Sequence, residues 1–140
     1  MPTSAAKPAI VFRLRKHAEY QRVYKASRKQ FSKQMSFFYA VRTDEMSARA
    51  IDAGVARVGL TVGKVMGKAV DRNRIKRRMR EAVRRNLHLL QGPVDVILHP
   101  RRTVIELEFG VLEREVGVVF RQVQKMVDRA GRREPAAPAV

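Results

Sequence analysis

Apolar residues change period several times along this chain, and each change marks a predicted element. Over 17–27, Tyr20, Val23 and Tyr24 fall at i, i+3 and i+4, the spacing of one helix face. No Ser, Thr, Asp or Asn precedes His17, so this helix lacks the usual start signal. Residues 35–42 alternate instead: Met35, Phe37, Tyr39 and Val41 face one way, Ser36, Phe38, Ala40 and Arg42 the other. Residues 43–54 are polar and Ala-rich and read as a long hairpin loop. A second strand is predicted over 56–63. Val58, Leu60 and Val62 share one face; Arg57, Gly59, Thr61 and Gly63 leave the other bare and partly basic. Glycine there means either close approach of a ligand or backbone, or a weak strand beside a bulge. A helix over roughly 70–90 is stopped by Gly92 and Pro93. Val94 to His99 forms a short strand ended by Pro100. A last helix, about 108–130, carries Phe109, Leu112, Val116, Val119, Phe120, Val123 and Val127 on a broad apolar face. The order is α-β-β-α-β-α, with one more short strand near Phe31.

The chain has 140 residues, 45% of them apolar, enough for one domain with a real core. Residues 1–11 read as a flexible basic arm, 12–130 as a single domain, and 131–140, with Pro135 and Pro138, as a disordered tail. A net charge of +17 exceeds what solubility needs and opposes compaction by self-repulsion, which points to a polyanionic partner. Nucleic acid is favoured over a membrane, because no apolar run approaches the ~20 residues that span a bilayer. The absence of a signal-peptide core and of cysteine fits a reducing cytoplasm.

The positive charge is concentrated. Lys68 to Arg85 holds nine Lys or Arg residues and two acids, while Ile75, Met79, Ala82 and Val83 keep helical spacing. At about 100° per residue these apolar positions join Asn86, Leu89 and Leu90 in one buried stripe. Asn73, Arg77, Arg80 and Arg84 flank the stripe on one side; Arg74, Arg78 and Arg85 lie near the other. Arg72 and Lys76 fall within the angle of the stripe. They cannot both be buried unpaired, so the first turn is expected to overhang the core edge. Cations at a helix N-terminus oppose the macrodipole, at about 0.3–1 kcal/mol each. Arg72, Arg74 and Lys76 stand there, with Lys64 and Lys68 just before them, and only Asp71 goes the favourable way. Such a cluster of guanidinium groups at a positive helix end is an anion site.

Phosphate contacts carry no sequence reading; aromatic side chains supply that for unpaired bases by stacking. Tyr20 and Tyr24 on the first helix, and Phe37, Phe38 and Tyr39 on the first long strand, are candidates, with core packing as the alternative. The bare Gly/Thr strand face beside aromatics favours an extended single strand over a duplex groove. Catalysis by the chain itself has little support. His17, His88 and His99 lie on different elements without metal spacing. Asp95 and Glu81 have simpler roles as salt-bridge partners, and no nucleophile array or phosphate-cradling glycine loop is visible.

The stretch Arg57-Val-Gly-Leu-Thr-Val-Gly-Lys64, followed by Gly67-Lys-Ala-Val-Asp-Arg-Asn-Arg-Ile-Lys-Arg-Arg-Met-Arg-Glu81, resembles the signature of the bacterial ribonuclease P protein subunit. The likeness extends to Tyr20-Gln-Arg-Val-Tyr24, Phe37-Phe-Tyr39 and Val94-Asp-Val-Ile97, and covers about 12–128. Val65 departs from it, standing where the family usually has a second lysine.

The resemblance implies an α+β fold: a two-layer α/β sandwich, order α-β-β-β-α-β-α, with a left-handed β-α-β crossover against the usual rule. It implies a subunit of an endoribonuclease that removes the 5′ leader of precursor tRNA, with the chemistry in a catalytic RNA and its bound Mg²⁺ and none in the protein alone. The implied partners are ribonuclease P catalytic RNA and precursor tRNA, with no small-molecule cofactor and no membrane, in the cytoplasm. By position, Lys64, Arg72, Asn73, Arg74, Lys76, Arg77 and Arg80 are the implied RNA contacts, and the charge run itself adds Lys68 and Arg84. Tyr20, Tyr24 and Tyr39 line the implied leader cleft, to which the bare, partly basic strand face adds Arg57 and Thr61. A non-catalytic RNA-binding protein, such as a ribosomal or RNA-chaperone component, has a similar composition and is the alternative.

Overall fold

A computed structural model describes residues 13–42 and 55–136, with side chains as far as 130. The expected arm, the 43–54 loop and the last four residues lie outside the described residues. In chain order the elements are α1 (His17–Ala26), β1 (Gln30–Phe31), β2 (Met35–Val41), β3 (Arg57–Leu60), α2 (Ala69–Asn86), β4 (Val94–Pro100) and α3 (Phe109–Ala136). Single 3₁₀ turns stand at Lys64–Met66, Leu87–Leu89 and Arg102–Ile105.

The sheet runs β1-β2-β4-β3. β4 is antiparallel to β2 and parallel to β3, so β3, α2 and β4 form a β-α-β unit. A central strand is covered on both faces, which explains why Val94 to Leu98 are all buried. Val94, Val96 and Leu98 join Met35, Phe37 and Val58 in the main core, closed by Ile75, Met79, Ala82 and Val83 of α2 and the apolar face of α3. These two helices and the sheet make the sandwich. On the other sheet face, α1 packs a smaller cluster of Leu14, Val23 and Ile97, with Tyr20, Tyr24, Phe38 and Ala40 at its border.

Local chemistry accounts for the boundaries. α1 starts without a Ser, Thr, Asp or Asn cap because Glu19 supplies the capping. Its Oε1 accepts the backbone N–H groups of Arg15 and Lys16, both at 3.1 Å. β3 ends at Leu60 rather than at residue 63. Thr61 N–H still donates to Leu98 O at 3.0 Å, but the next ladder donor would be Pro100, which has no N–H. α2 meets α3 closely at Gly117, where a Cβ would stand 2.9 Å from Asn86 Oδ1. Asn86 Nδ2 donates to Ala82 O and Glu113 O, both at 2.9 Å, which satisfies a polar group buried in the helix stripe. α3 continues to Ala136 instead of stopping near 130.

Candidate nucleic-acid interface

Alternation places Arg57 and Gly59 of β3, Asp95, Ile97 and His99 of β4, and Phe38 and Ala40 of β2 on the α1 side of the sheet. At one end of that face Asp95 is 1% exposed. It accepts Arg57 Nε and Nη2, both at 2.9 Å, and Arg42 Nη1 at 2.5 Å. Glu19 of α1 takes Arg57 Nη1 at 2.8 Å, so the same ion cluster fixes α1 to the sheet.

The other end is aromatic. Tyr20 lies flat against β3, where a Cβ on Gly59 would come within 2.5 Å of its hydroxyl. Burial pushes the Tyr20 hydroxyl pKa up, and the hydroxyl donates to Leu14 O at 3.4 Å. Gly59 therefore answers the question left by its sequence: it makes room for a tyrosine of the same chain. One helical turn on, Tyr24 meets Phe38 edge-on, with ring centroids 4.8 Å apart. Its hydroxyl lies 3.0 Å from His99 Nε2 and 3.4 Å from Thr61 Oγ1.

α2 presents the charge. Asn73, Arg74, Arg77 and Arg80 are exposed, and so are Lys64 and Lys68 before the helix. None of the five cations among these has an ion-pair partner among the described residues. Arg72 and Lys76, expected to overhang the core edge, are half-buried there, and Arg72 Nε is buried without a hydrogen-bond partner. Further along, the charge is matched. Arg84 and Arg85 both bind Glu81, at 2.5 and 2.8 Å, and pull its carboxyl down to about 2. Arg85 also reaches Glu113 at 3.3 Å. Arg78 donates to the carbonyls of Val104 and Leu107 and holds the turn before α3.

A cavity of about 360 Å³ joins the two regions at the β3 edge. Tyr20, Gly59 and Leu60 line it from the cleft, Lys76 and Arg80 from α2, and Arg13 and Arg15 from the segment before α1.

Two expected cleft residues, Arg57 and Tyr39, stand elsewhere, and one expected RNA contact, Arg84, is paired within α2. Arg57 is 2% exposed and engaged by Asp95 and Glu19, so it organises the sheet end rather than lining the cleft. Tyr39 lies on the opposite sheet face from Tyr20 and Tyr24, packed against the main core. Arg84 is exposed but held by Glu81. Phe38 and His99 occupy the cleft in their place. Alternation had already put Phe38 opposite Tyr39, but the period alone does not say which face meets α1. His99 carried a weaker signal: it keeps phase with Asp95 and Ile97, away from Val94, Val96 and Leu98.

An aromatic cleft bordered by unopposed cations, on an α+β scaffold, has the chemistry of a nucleic-acid-binding protein. The family described as Ribonuclease P matches residues 11–124. A ribonuclease P protein component of Bacillus velezensis is 33% identical over 110 residues, 79% of this chain and 87% of that protein. One from Carboxydothermus hydrogenoformans is 28% identical over 117 residues, covering 84% and 95%. In fold, the chain is similar to the RNase P protein of Staphylococcus aureus, with TM-score 0.64, 23% identity and coverage of 81% and 96%. The protein from Thermotoga maritima gives 0.65, 21%, 79% and 96%. The chain belongs to the ribonuclease P protein family, the protein subunit of the ribonucleoprotein endoribonuclease of tRNA 5′ processing. An RNA partner follows from that membership, and no helix among the described residues is long and apolar enough to cross a membrane.

Proposed function

We propose that this chain binds the catalytic RNA of ribonuclease P through the first half of α2, and holds the 5′ leader of precursor tRNA between α1 and the sheet. The observation that carries this reading is the cavity where Tyr20 and Gly59 meet Lys76 and Arg80. A leader strand there has a stacking surface on one side and phosphate ligands on the other. Arg72 Nε, buried and unpartnered, is a donor that a phosphate oxygen would satisfy. Tyr24 and Phe38 continue the stacking surface along the sheet.

Hydrolysis belongs to the RNA. Mg²⁺ held mainly by RNA phosphates would supply the charge stabilisation and the activated water of metal-assisted phosphodiester cleavage. Among the described residues no three His, Cys, Asp or Glu side chains gather to hold an ion. This chain contributes orientation of the leader and neutralisation of RNA charge, in the cytoplasm.

The test adds the protein to a bacterial ribonuclease P RNA at low Mg²⁺. Stimulated 5′ cleavage of precursor tRNA is expected, with no cleavage by protein alone. RNA binding without stimulation would leave a non-catalytic RNA-binding protein. Replacing Tyr20 and Tyr24 by Ala is expected to weaken precursor tRNA binding more than mature tRNA binding; equal losses would remove the leader from the cleft.

A further inference from the structure

His99 is the polar centre of the aromatic end of the cleft, and nothing in the basic motif calls for it. It stands one residue from the end of β4, opposite Ser36 of β2. Phe38 packs on its ring at 5.3 Å between centroids and Tyr24 at 5.9 Å. Nε2 lies 3.0 Å from the Tyr24 hydroxyl, which also reaches Thr61 Oγ1 at 3.4 Å. The ring is therefore fixed in position and rotation, while Nδ1 has no hydrogen-bond partner among the described residues. Of the groups around it, α1 contributes Tyr24, the segment after α1 contributes the cation Lys29, β2 contributes Ser36 and Phe38, and the residue after β3 is Thr61, reached through Tyr24. No carboxylate ion-pairs or hydrogen-bonds with it among the described residues.

We propose that His99 is a specificity-determining residue of the leader cleft, whose Nδ1 donates to a phosphate of the bound leader. The proposal rests on the leader reading above. Its chemistry follows from the hydrogen-bond chain. Neutral His99 accepts the Tyr24 O–H at Nε2 and carries its proton on Nδ1. Protonated His99 donates from Nε2 to the Tyr24 oxygen, and Tyr24 donates onward to Thr61. The cluster is satisfied in both states, so the imidazole can gain a proton without rebuilding the cleft. In the free protein, burial and then Lys29 hold the His99 pKa below its ordinary value. A phosphate at Nδ1 favours the imidazolium and raises the pKa in the complex. Leader binding then takes up protons. The added affinity is complete below the free-state pKa and is lost as pH rises through the bound-state pKa.

The test measures affinities of holoenzyme, reconstituted with a bacterial ribonuclease P RNA, for cleavage-blocked precursor tRNA and for mature tRNA between about pH 5.5 and 8. The ratio favouring precursor is expected to rise about tenfold toward low pH, the scale of one hydrogen bond to a charged group. In His99→Gln, whose amide can still bond Tyr24 but cannot titrate, the ratio is expected to stay flat. A ratio above one that is equally flat in both proteins, or equally steep in both, overturns the role of His99. A ratio of one at every pH in the natural protein overturns the leader cleft, and this inference with it. NMR titration of His99 in the natural protein, with and without a short leader RNA, checks the same point independently of folding of the variant. An upward pKa shift on RNA addition is expected, and an unchanged pKa for bound protein overturns the proposal.

Discussion

The arginines around Asp95 and those on the first half of α2 are the same residue type put to opposite uses. Arg42 and Arg57 are 3% and 2% exposed and share one carboxylate from β4. Arg74, Arg77 and Arg80 are exposed, with no ion-pair partner among the described residues. The interior group trades its hydration for short, multiple hydrogen bonds. That arrangement is tolerable only while every partner is present. The exterior group keeps its hydration and its repulsion, and is relieved when an anion arrives. The lesson is that arginine content does not locate an RNA surface; the distribution of carboxylates does. α2 shows it within one helix. Glu81 neutralises Arg84 and Arg85, and the unopposed charge lies N-terminal to it.

Removing the interior carboxylate is the largest way to break this contrast. Asp95→Ala is expected to destabilise the fold by about 3–5 kcal/mol in urea denaturation, the usual cost of taking one partner from a buried ion pair. A loss under about 1 kcal/mol would mean that the interior arginines are held no more firmly than surface ones. Next comes the exterior group. Arg74→Ala, Arg77→Ala and Arg80→Ala together are expected to leave the urea midpoint nearly unchanged, while the slope of log affinity for RNA against log salt becomes shallower by about 2–3 units. An unchanged slope would place the phosphate contacts elsewhere.

A smaller effect sharpens the boundary within α2. Glu81→Ala releases Arg84 and leaves Arg85 only its longer pair with Glu113, and is expected to strengthen RNA binding at low salt with a steeper salt slope. Weaker binding would mean that Glu81 positions those arginines for RNA. The smallest effect is the acid response of that exposed trio. Arg84 first, then Arg85, lowers the Glu81 carboxyl to about 2 by hydrogen bonding. Its folded pKa is thus below the unfolded value of 4.5. The stabilisation is full above about pH 4.5 and is lost as pH falls through about 2. Because the group is solvent-exposed, screening keeps the contribution slight. Thermal melts of the natural protein and Glu81→Ala are expected to differ slightly at neutral pH and to converge near pH 2; a difference that persists there would assign it to helix packing.

Much of the fold was legible in single segments. The stripe Ile75, Met79, Ala82, Val83 and Asn86 is buried as its spacing predicts, and Leu112, Val116, Val119, Phe120 and Val123 of α3 likewise. For Gly59 the sequence leaves close approach and a weak strand beside a bulge both open, and the neighbour that decides between them, Tyr20, comes from another element. In the site, Tyr20 and Tyr24 could be paired because one helix face carries both. Alternation put Tyr39 and Phe38 on opposite faces, but it does not say which face α1 covers.

The sequence by itself determined the periods of the helices and strands, the accumulation of cations at the positive end of α2, and the run around Arg72, Asn73 and Arg74 that marks the family. These are properties of neighbouring residues, set by backbone geometry and short-range charge. The tertiary structure alone decided which arginines are interior and which aromatics share a cleft. Arg42 and Arg57 find Asp95 only when β2 and β3 pair on either side of β4, 53 and 38 residues away along the chain. Tyr24, Phe38, Thr61 and His99 likewise converge from four separate segments. Burial of a charge or orientation of a ring depends on partners from distant segments, and strand order and α1 docking bring those partners together.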